Sequence, residues 1–163
     1  MNKSRIEILK MKAKRNASRK ELIDKLSNIV TISIDSFMDA ESNDLFCKEL
    51  FNTLEQNSNI KNFGSTDYEE NRRLSIALLK ETAKTIQFPL KQGRLFFSKG
   101  GKIEAVKLNI AEVFDNLEEL LTISRFLTGY TDFVLVGDDL EFGVCIERTE
   151  YHYEFSMWGI TKI

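Results

Sequence analysis

The sequence predicts an α+β fold in which a helical N-terminal half packs on an antiparallel sheet formed by the C-terminal half. Apolar residues recur at helical spacing in the first half and alternate at strand spacing over much of the second. Gly100-Gly101 separates two of the alternating runs, as in a β-hairpin. With 163 residues and 42% apolar composition, the chain is long enough for one domain with a substantial core.

The helical part is predicted at residues 21–90, after a basic segment at residues 1–20. Two capping-box patterns, which open helices, occur at Ser18–Glu21 and Thr66–Glu69. The apolar stripes predict helices over residues 21–30, 44–54 and 66–85. Residues 29–34 allow two interpretations, because their β-branched side chains favour a strand whereas the apolar stripe can continue as a helix.

The sheet part is predicted at residues 93–160 in the order ββαβββ, so that residues 21–163 form a single α+β domain. Asn109, with Glu112 three residues later, is predicted to open one helix that ends at Gly129. The predicted strands cover residues 94–98, 102–108, 133–136, 140–147 and 150–158.

Charge is distributed unevenly along the chain, although the net charge is only −2. Residues 1–20 contain eight bases and one acid, whereas residues 111–163 contain three bases and eleven acids. Such asymmetry is typical of a protein with a charged partner.

Composition argues against several classes of protein. No apolar run approaches the roughly 20 residues of a membrane span, and the basic start is not followed by the apolar segment of a secretory signal. Two cysteines and one histidine are typical of a reduced, cytoplasmic protein rather than a disulfide framework or a zinc site. We therefore expect a cytoplasmic protein without cofactor or metal.

The last hairpin carries the candidate binding residues. Because side chains alternate along a strand, one face of this hairpin is apolar and the other contains most of its acids. A two-residue turn would place Glu147 opposite Glu150, a like-charge pair that costs stability. A four-residue turn would shift every cross-strand pair by two residues and keep the same faces. The acidic face is either an ordinary solvated face or a docking face for a basic partner. The residues predicted to bind that partner are Asp138, Asp139, Glu141, Glu147, Glu150, Tyr151, Glu154 and Trp158.

Two patterns in this region favour structure over catalysis. Gly137-Asp138-Asp139 resembles the metal-binding hairpin of palm-domain RNA polymerases, but the chain is too short for the other parts of such an enzyme, and the tripeptide suits a turn. Cys145 and His152 could face each other, yet nothing marks the oxyanion hole that nucleophilic catalysis needs. We therefore predict no catalytic residues and no enzyme activity.

The run from Asp132 to Phe155 resembles the terminal strands of small bacterial immunity proteins from toxin–immunity systems. The resemblance implies a cytoplasmic protein that neutralises a cognate toxin, often a nuclease whose basic active site an acidic surface can cover. The alternative is a nucleic-acid-associated or regulatory domain that contacts phosphates through residues 1–20. A third arrangement would place residues 1–20 on the acidic face of the same chain or of a second copy.

Overall fold

A computed structural model describes residues 4–56, 60–63, 67–99, 101–127 and 131–162. Its helices are α1 (Arg5–Leu26), α2 (Ala40–Gln56), α3 (Tyr68–Thr85), α4 (Ile110–Asp115) and α5 (Leu117–Ile123), with a short 3-10 helix at Ile34–Ser36. Its strands are β1 (Ile60–Asn62), β2 (Ile86–Gln87), β3 (Gln92–Lys99), β4 (Lys102–Asn109), β5 (Phe133–Val136), β6 (Gly143–Arg148), β7 (Tyr153–Trp158) and β8 (Thr161–Lys162).

Six of these strands form one antiparallel sheet in the order β1-β7-β6-β5-β3-β4, while β2 and β8 pair separately. The predicted α+β class is confirmed, with helices mostly in the first half and strands mostly in the second. The hairpin between β3 and β4 also forms, and Gly101 adopts the positive φ of 78° that its turn requires. Gly100 lies outside the described residues.

Helices cover both faces of the sheet. On one face, the end of α1 packs with α3, α4 and α5 over a core that includes Leu79, Leu120 and Phe126. On the other face, α2 contributes Phe46, Leu50 and Leu54 to a second core. Since an antiparallel sheet needs only one covered face, the second core limits which sheet residues can reach a partner.

The first helix is longer than the capping pattern predicted. α1 begins at Arg5, where the Ser4 hydroxyl accepts a hydrogen bond from the Glu7 amide, and it continues through Ser18. The prediction of a helix opening at Ser18 is therefore wrong. Ser4 and Glu7 carry the same spacing as Ser18 and Glu21, so the capping pattern occurs twice and only the first copy caps the helix.

Two further local predictions are corrected. Residues 29–34 form neither of the expected elements, because a turn follows α1 and a 3-10 helix begins only at Ile34. Asn109 caps α4 as predicted, but the single expected helix is two helices that meet at Asn116. The side-chain amide of Asn116 donates to the carbonyl of Ile29, which lies far away in sequence.

Other predicted features are matched by the structure or fall outside it. The predicted helix at 44–54 lies within α2, and the helix predicted to end at residue 85 is α3. Asp67 caps α3 by accepting from the Glu69 amide, while Thr66 and Gly129 lie outside the described residues. None of the helices in the described ranges combines the length and apolar character needed to cross a membrane.

Candidate functional site

The predicted binding residues divide into two groups at opposite ends of the hairpin formed by β6 and β7. One group, at the start of β6 and the end of β7, contains Asp138, Asp139, Glu141 and Trp158. The other, at the end of β6 and the start of β7, contains Glu147, Glu150, Tyr151 and Glu154. Since a strand rises about 3.4 Å per residue, the span from Gly143 to Glu147 separates the groups by roughly 14 Å. The eight residues therefore do not form one contiguous patch.

Asp138 is exposed, but its carboxylate forms ion pairs with two cations of the same chain. Its carboxylate lies 2.5 Å from Arg94 Nε and 2.8 Å from Lys107 Nζ. Partial burial alone would raise the pKa of Asp138, but the hydrogen bonds and charges of Lys107 and Arg94 outweigh it and lower that pKa. Two cations also disfavour a metal ion at this carboxylate. The interpretation of Gly137-Asp138-Asp139 as a turn is confirmed, with Asp139 accepting from the Glu141 amide at 3.0 Å.

Trp158 packs against the protein and is only partly exposed. Its indole Nε1 donates to the Leu140 carbonyl at 2.9 Å. The ring lies so close to Gly143 that a Cβ atom there would come within 2.5 Å of it. These contacts give Trp158 a structural role in closing the second core, to which it is adjacent.

The middle of the predicted acidic face is covered by α2. Cys145 has no exposed surface, and its cross-strand partner Ser156 is buried as well. Small residues at these positions and at Gly143 leave room for a helix, a signal that the sequence contained. Only the two ends of this face are open to solvent.

The end of the hairpin near its turn carries a row of carboxylates. Glu147 pairs with Glu154 across β6 and β7, rather than with Glu150 as a two-residue turn would require. Continuing the register between β5 and β6 by one residue places Asp132 next to Glu147. We call Asp132, Glu147, Glu150, Tyr151 and Glu154 the acidic end. Asp132 was missed as a candidate because its neighbour in space could be identified only from the register.

For two carboxylates of this row, Glu147 and Asp132, the ionised form is disfavoured by their surroundings. Partial burial, followed by the charges of Asp132 and Glu154, raises the pKa of Glu147. Burial also raises the pKa of Asp132, although the Arg148 amide donates to its carboxylate at 2.8 Å. Among the described residues, neither Asp132 nor Glu147 forms an ion pair. A cation from outside the chain would relieve this repulsion.

The turn that presents the acidic end is held in place. The Thr149 amide and hydroxyl both donate to the His152 carbonyl at 2.8 Å. Tyr68, at the start of α3, donates its hydroxyl to the Thr149 carbonyl. The turn is therefore tied to the body of the protein, whereas Tyr151 at its tip is 72% exposed.

The cysteine–histidine pair considered from the sequence does not form. Cys145 lies opposite Ser156, and His152 Nε2 is 3.1 Å from the Glu154 carboxylate. Burial raises the pKa of the Cys145 thiol well above its usual value, and burial followed by nearby acids raises that of Cys47 to about 11. Such thiols are poor nucleophiles. Across the described ranges, no group of three histidine, cysteine or acidic side chains is arranged to hold a metal ion.

Part of the basic segment is used to attach α1 to the sheet. Arg15 Nε and Arg19 Nη2 lie 2.9 and 3.0 Å from the two oxygens of Glu104, a buried residue of β4. Arg15 also lies 3.1 Å from Asp44 at the start of α2. Within the chain, Arg15 and Arg19 therefore neutralise the carboxylates of Glu104 in β4 and Asp44 in α2. The two arginines do not contact the acidic end.

A family model, described as YxiF protein, matches residues 22–158. The chain belongs to the YxiF protein family. The YxiF match begins near the end of α1 and runs through β7, so that it contains the whole six-stranded sheet and the acidic end. No curated protein and no solved structure matches the chain.

Proposed function

We propose that this protein is a cytoplasmic, immunity-like binding protein that neutralises a cognate basic toxin by docking its acidic end on it. The observation that carries the proposal is the row formed by Asp132, Glu147 and Glu154, which brings like charges together. Among the described residues, only Glu154 of this row has an ion-pair partner, His152, at 3.1 Å. Sequences rarely retain such local conflicts except at functional sites.

Electrostatics explains what the row contributes to binding. In the free protein, the carboxylates repel one another, and partial burial together with this repulsion raises the pKa of Glu147. A lysine or arginine of the partner supplies the missing opposite charge. Complementary charge also accelerates association and selects against acidic partners.

The turn supplies the rest of a docking surface. Tyr151 is an exposed aromatic side chain beside the acids, and tyrosine is enriched among residues that dominate binding energy. Because hydrogen bonds from Thr149 and Tyr68 already hold the turn, binding requires little further ordering there. This combination favours binding over catalysis.

The partner class follows from the resemblance between residues 132–155 and immunity proteins, which implies a toxin and often a nuclease. The negative charge of the acidic end further favours a toxin with a basic surface. The alternative use of residues 1–20 for nucleic acid is less favoured, since Arg15 and Arg19 are bound to Glu104 and Asp44.

The proposal is tested by affinity capture from the source organism, followed by neutralisation of the captured partner on co-expression. Glu147→Gln/Glu150→Gln removes two charges from the acidic end, and Asp139→Asn/Glu141→Gln removes two from the opposite end as a matched control. We expect the first variant to lose capture and protection while the control retains both. Equal behaviour of the two variants, or a partner that is not toxic when expressed alone, contradicts the proposal.

A further inference from the structure

The N-terminal half of α1 is a solvent-exposed extension of the anchored part of this helix. Residues 4–14 are all exposed, although the same helix is anchored further along by Arg15, Arg19 and Leu26. At 1.5 Å per residue, the ten helical residues 5–14 span about 15 Å. Isolated helices of this length are marginal in water, so the segment depends on its continuity with the anchored part.

The row of α1 side chains that faces the body continues into this extension. Steps of three and four residues connect Leu26, Leu22, Arg19, Arg15, Met11 and Ile8. Leu26 and Leu22 pack in the core, and Arg19 and Arg15 form the ion pairs with Glu104. Ile8 and Met11 line a groove of about 410 Å³. The opposite wall is formed by the start of α2, including Ala40, and by the hairpin of β3 and β4.

The charges around this groove are predominantly positive. Its two acids, Asp44 and Glu104, are bound by Arg15, and Glu104 is also bound by Arg19. Lys12, Lys14 and Lys102 also line the groove and are exposed to solvent. A lysine rim around an apolar wall is complementary to an acidic segment that also carries apolar side chains.

We propose that this groove binds an acidic, amphipathic segment of a partner protein. An apolar side chain of the segment packs against Ile8, Met11 and Ala40, while its carboxylates meet Lys12, Lys14 and Lys102. This site goes beyond the proposed toxin-docking function, because it has the opposite charge and lies at the β4 edge of the sheet, away from the acidic end. Nucleic acid is less favoured, since the wall is aliphatic and residues 4–20 contain no aromatic side chain for stacking.

The proposal is tested by selecting a phage-displayed library of random 12-residue peptides on the immobilised full chain. We expect enrichment of peptides rich in Asp and Glu with apolar residues three and four positions apart. Synthetic copies of the selected peptides are then titrated by fluorescence anisotropy against variants and their matched controls. Circular dichroism checks that every variant, each altered only at exposed residues, retains its helix content.

Ile8→Ser is compared with Ile6→Ser, which alters an exposed isoleucine that does not line the groove. Lys12→Glu/Lys14→Glu is compared with Lys10→Glu/Lys20→Glu, which changes the net charge equally outside the groove. We expect each groove variant to weaken peptide binding by about tenfold or more, and each control by less than about threefold.

Several results would overturn the proposal. These are absence of enrichment, enrichment of basic or uncharged peptides, and equal losses in the groove variants and their controls. Duplex DNA that binds in place of peptide and is released by Lys12→Glu/Lys14→Glu would assign the groove to nucleic acid. A dimer in sedimentation that the same variant dissociates would assign it to a second copy of the chain.

Discussion

Glu104 lies between two arginines of α1, and we predict that its replacement by glutamine loosens this helix from the sheet. Glu104 is 6% exposed, and its carboxylate accepts from Arg15 Nε at 2.9 Å and from both Arg19 Nε and Nη2 at 3.0 Å. Removing one partner of a buried ion pair costs about 3–5 kcal/mol, because the remaining charge stays desolvated. Since glutamine keeps one acceptor oxygen, we expect the lower end of that range.

The assay is urea and thermal unfolding of Glu104→Gln beside Glu118→Gln, its matched control. For a chain of this size, about 3 kcal/mol corresponds to a decrease in melting temperature of roughly 6–12 °C. Glu118 is exposed and pairs with Lys80, so we expect its neutralisation to leave the stability nearly unchanged. Trypsin should also cleave α1 faster in Glu104→Gln. Equal losses of stability in the two variants would show that the Glu104 carboxylate does not hold α1 on the sheet.

A second test of the same cluster replaces all three charges. In Arg15→Met/Arg19→Met/Glu104→Leu no buried charge is left without its partner, since Asp44, which loses Arg15, has a 53% exposed side chain. Stability should therefore recover most of what Glu104→Gln loses. A triple variant less stable than Glu104→Gln would show that the stability lost in Glu104→Gln comes from the missing ion pairs and not from an uncompensated buried charge.

Three further predictions follow from individual side chains. The raised pKa of Glu147 means that its ionised form disfavours folding, so the free energy of unfolding falls as pH rises through that pKa. In urea unfolding, Glu147→Gln should therefore gain roughly 0.2–1 kcal/mol of stability at neutral pH and little at about pH 4. A loss of stability at neutral pH would contradict this prediction. Gly143→Ala should displace the ring of Trp158, the only tryptophan of the sequence, costing about 1–3 kcal/mol and shifting its fluorescence to longer wavelength; an unchanged spectrum would be inconsistent with the packing. Cys47 and Cys145 should resist iodoacetamide until the protein is unfolded, and rapid alkylation of the native protein at neutral pH would show that they are accessible.

Elements determined by local chemistry were predicted well from the sequence. Asn109 caps α4, and the hairpin at Gly101 forms with the expected positive φ, because both depend on residues a few positions apart. The break at Asn116 was not predicted, since its amide donates to Ile29 in a distant part of the chain. The attachment of α1 likewise depends on Glu104, which no local pattern connects to Arg19.

The candidate site shows the same division between local and distant information. Alternation assigned the faces of β6 and β7 correctly, because the side-chain period is fixed, but the register depended on the four-residue turn at 149–152. As a result, Glu147 faces Glu154 rather than Glu150. Coverage of the sheet by α2 could not be derived from alternation, although small residues such as Gly143 and Cys145 were consistent with it.

The proposed docking of a basic toxin on the acidic end predicts that the charges of this end accelerate association. The most direct measurement is the association rate constant with the captured partner, by surface plasmon resonance, at low and high ionic strength. We predict that Glu147→Gln/Glu150→Gln slows association about tenfold at low salt and little at high salt, and that Asp139→Asn/Glu141→Gln has a much smaller effect. Association rates of the Glu147→Gln/Glu150→Gln variant that equal those of the unmodified protein at low salt would contradict the account.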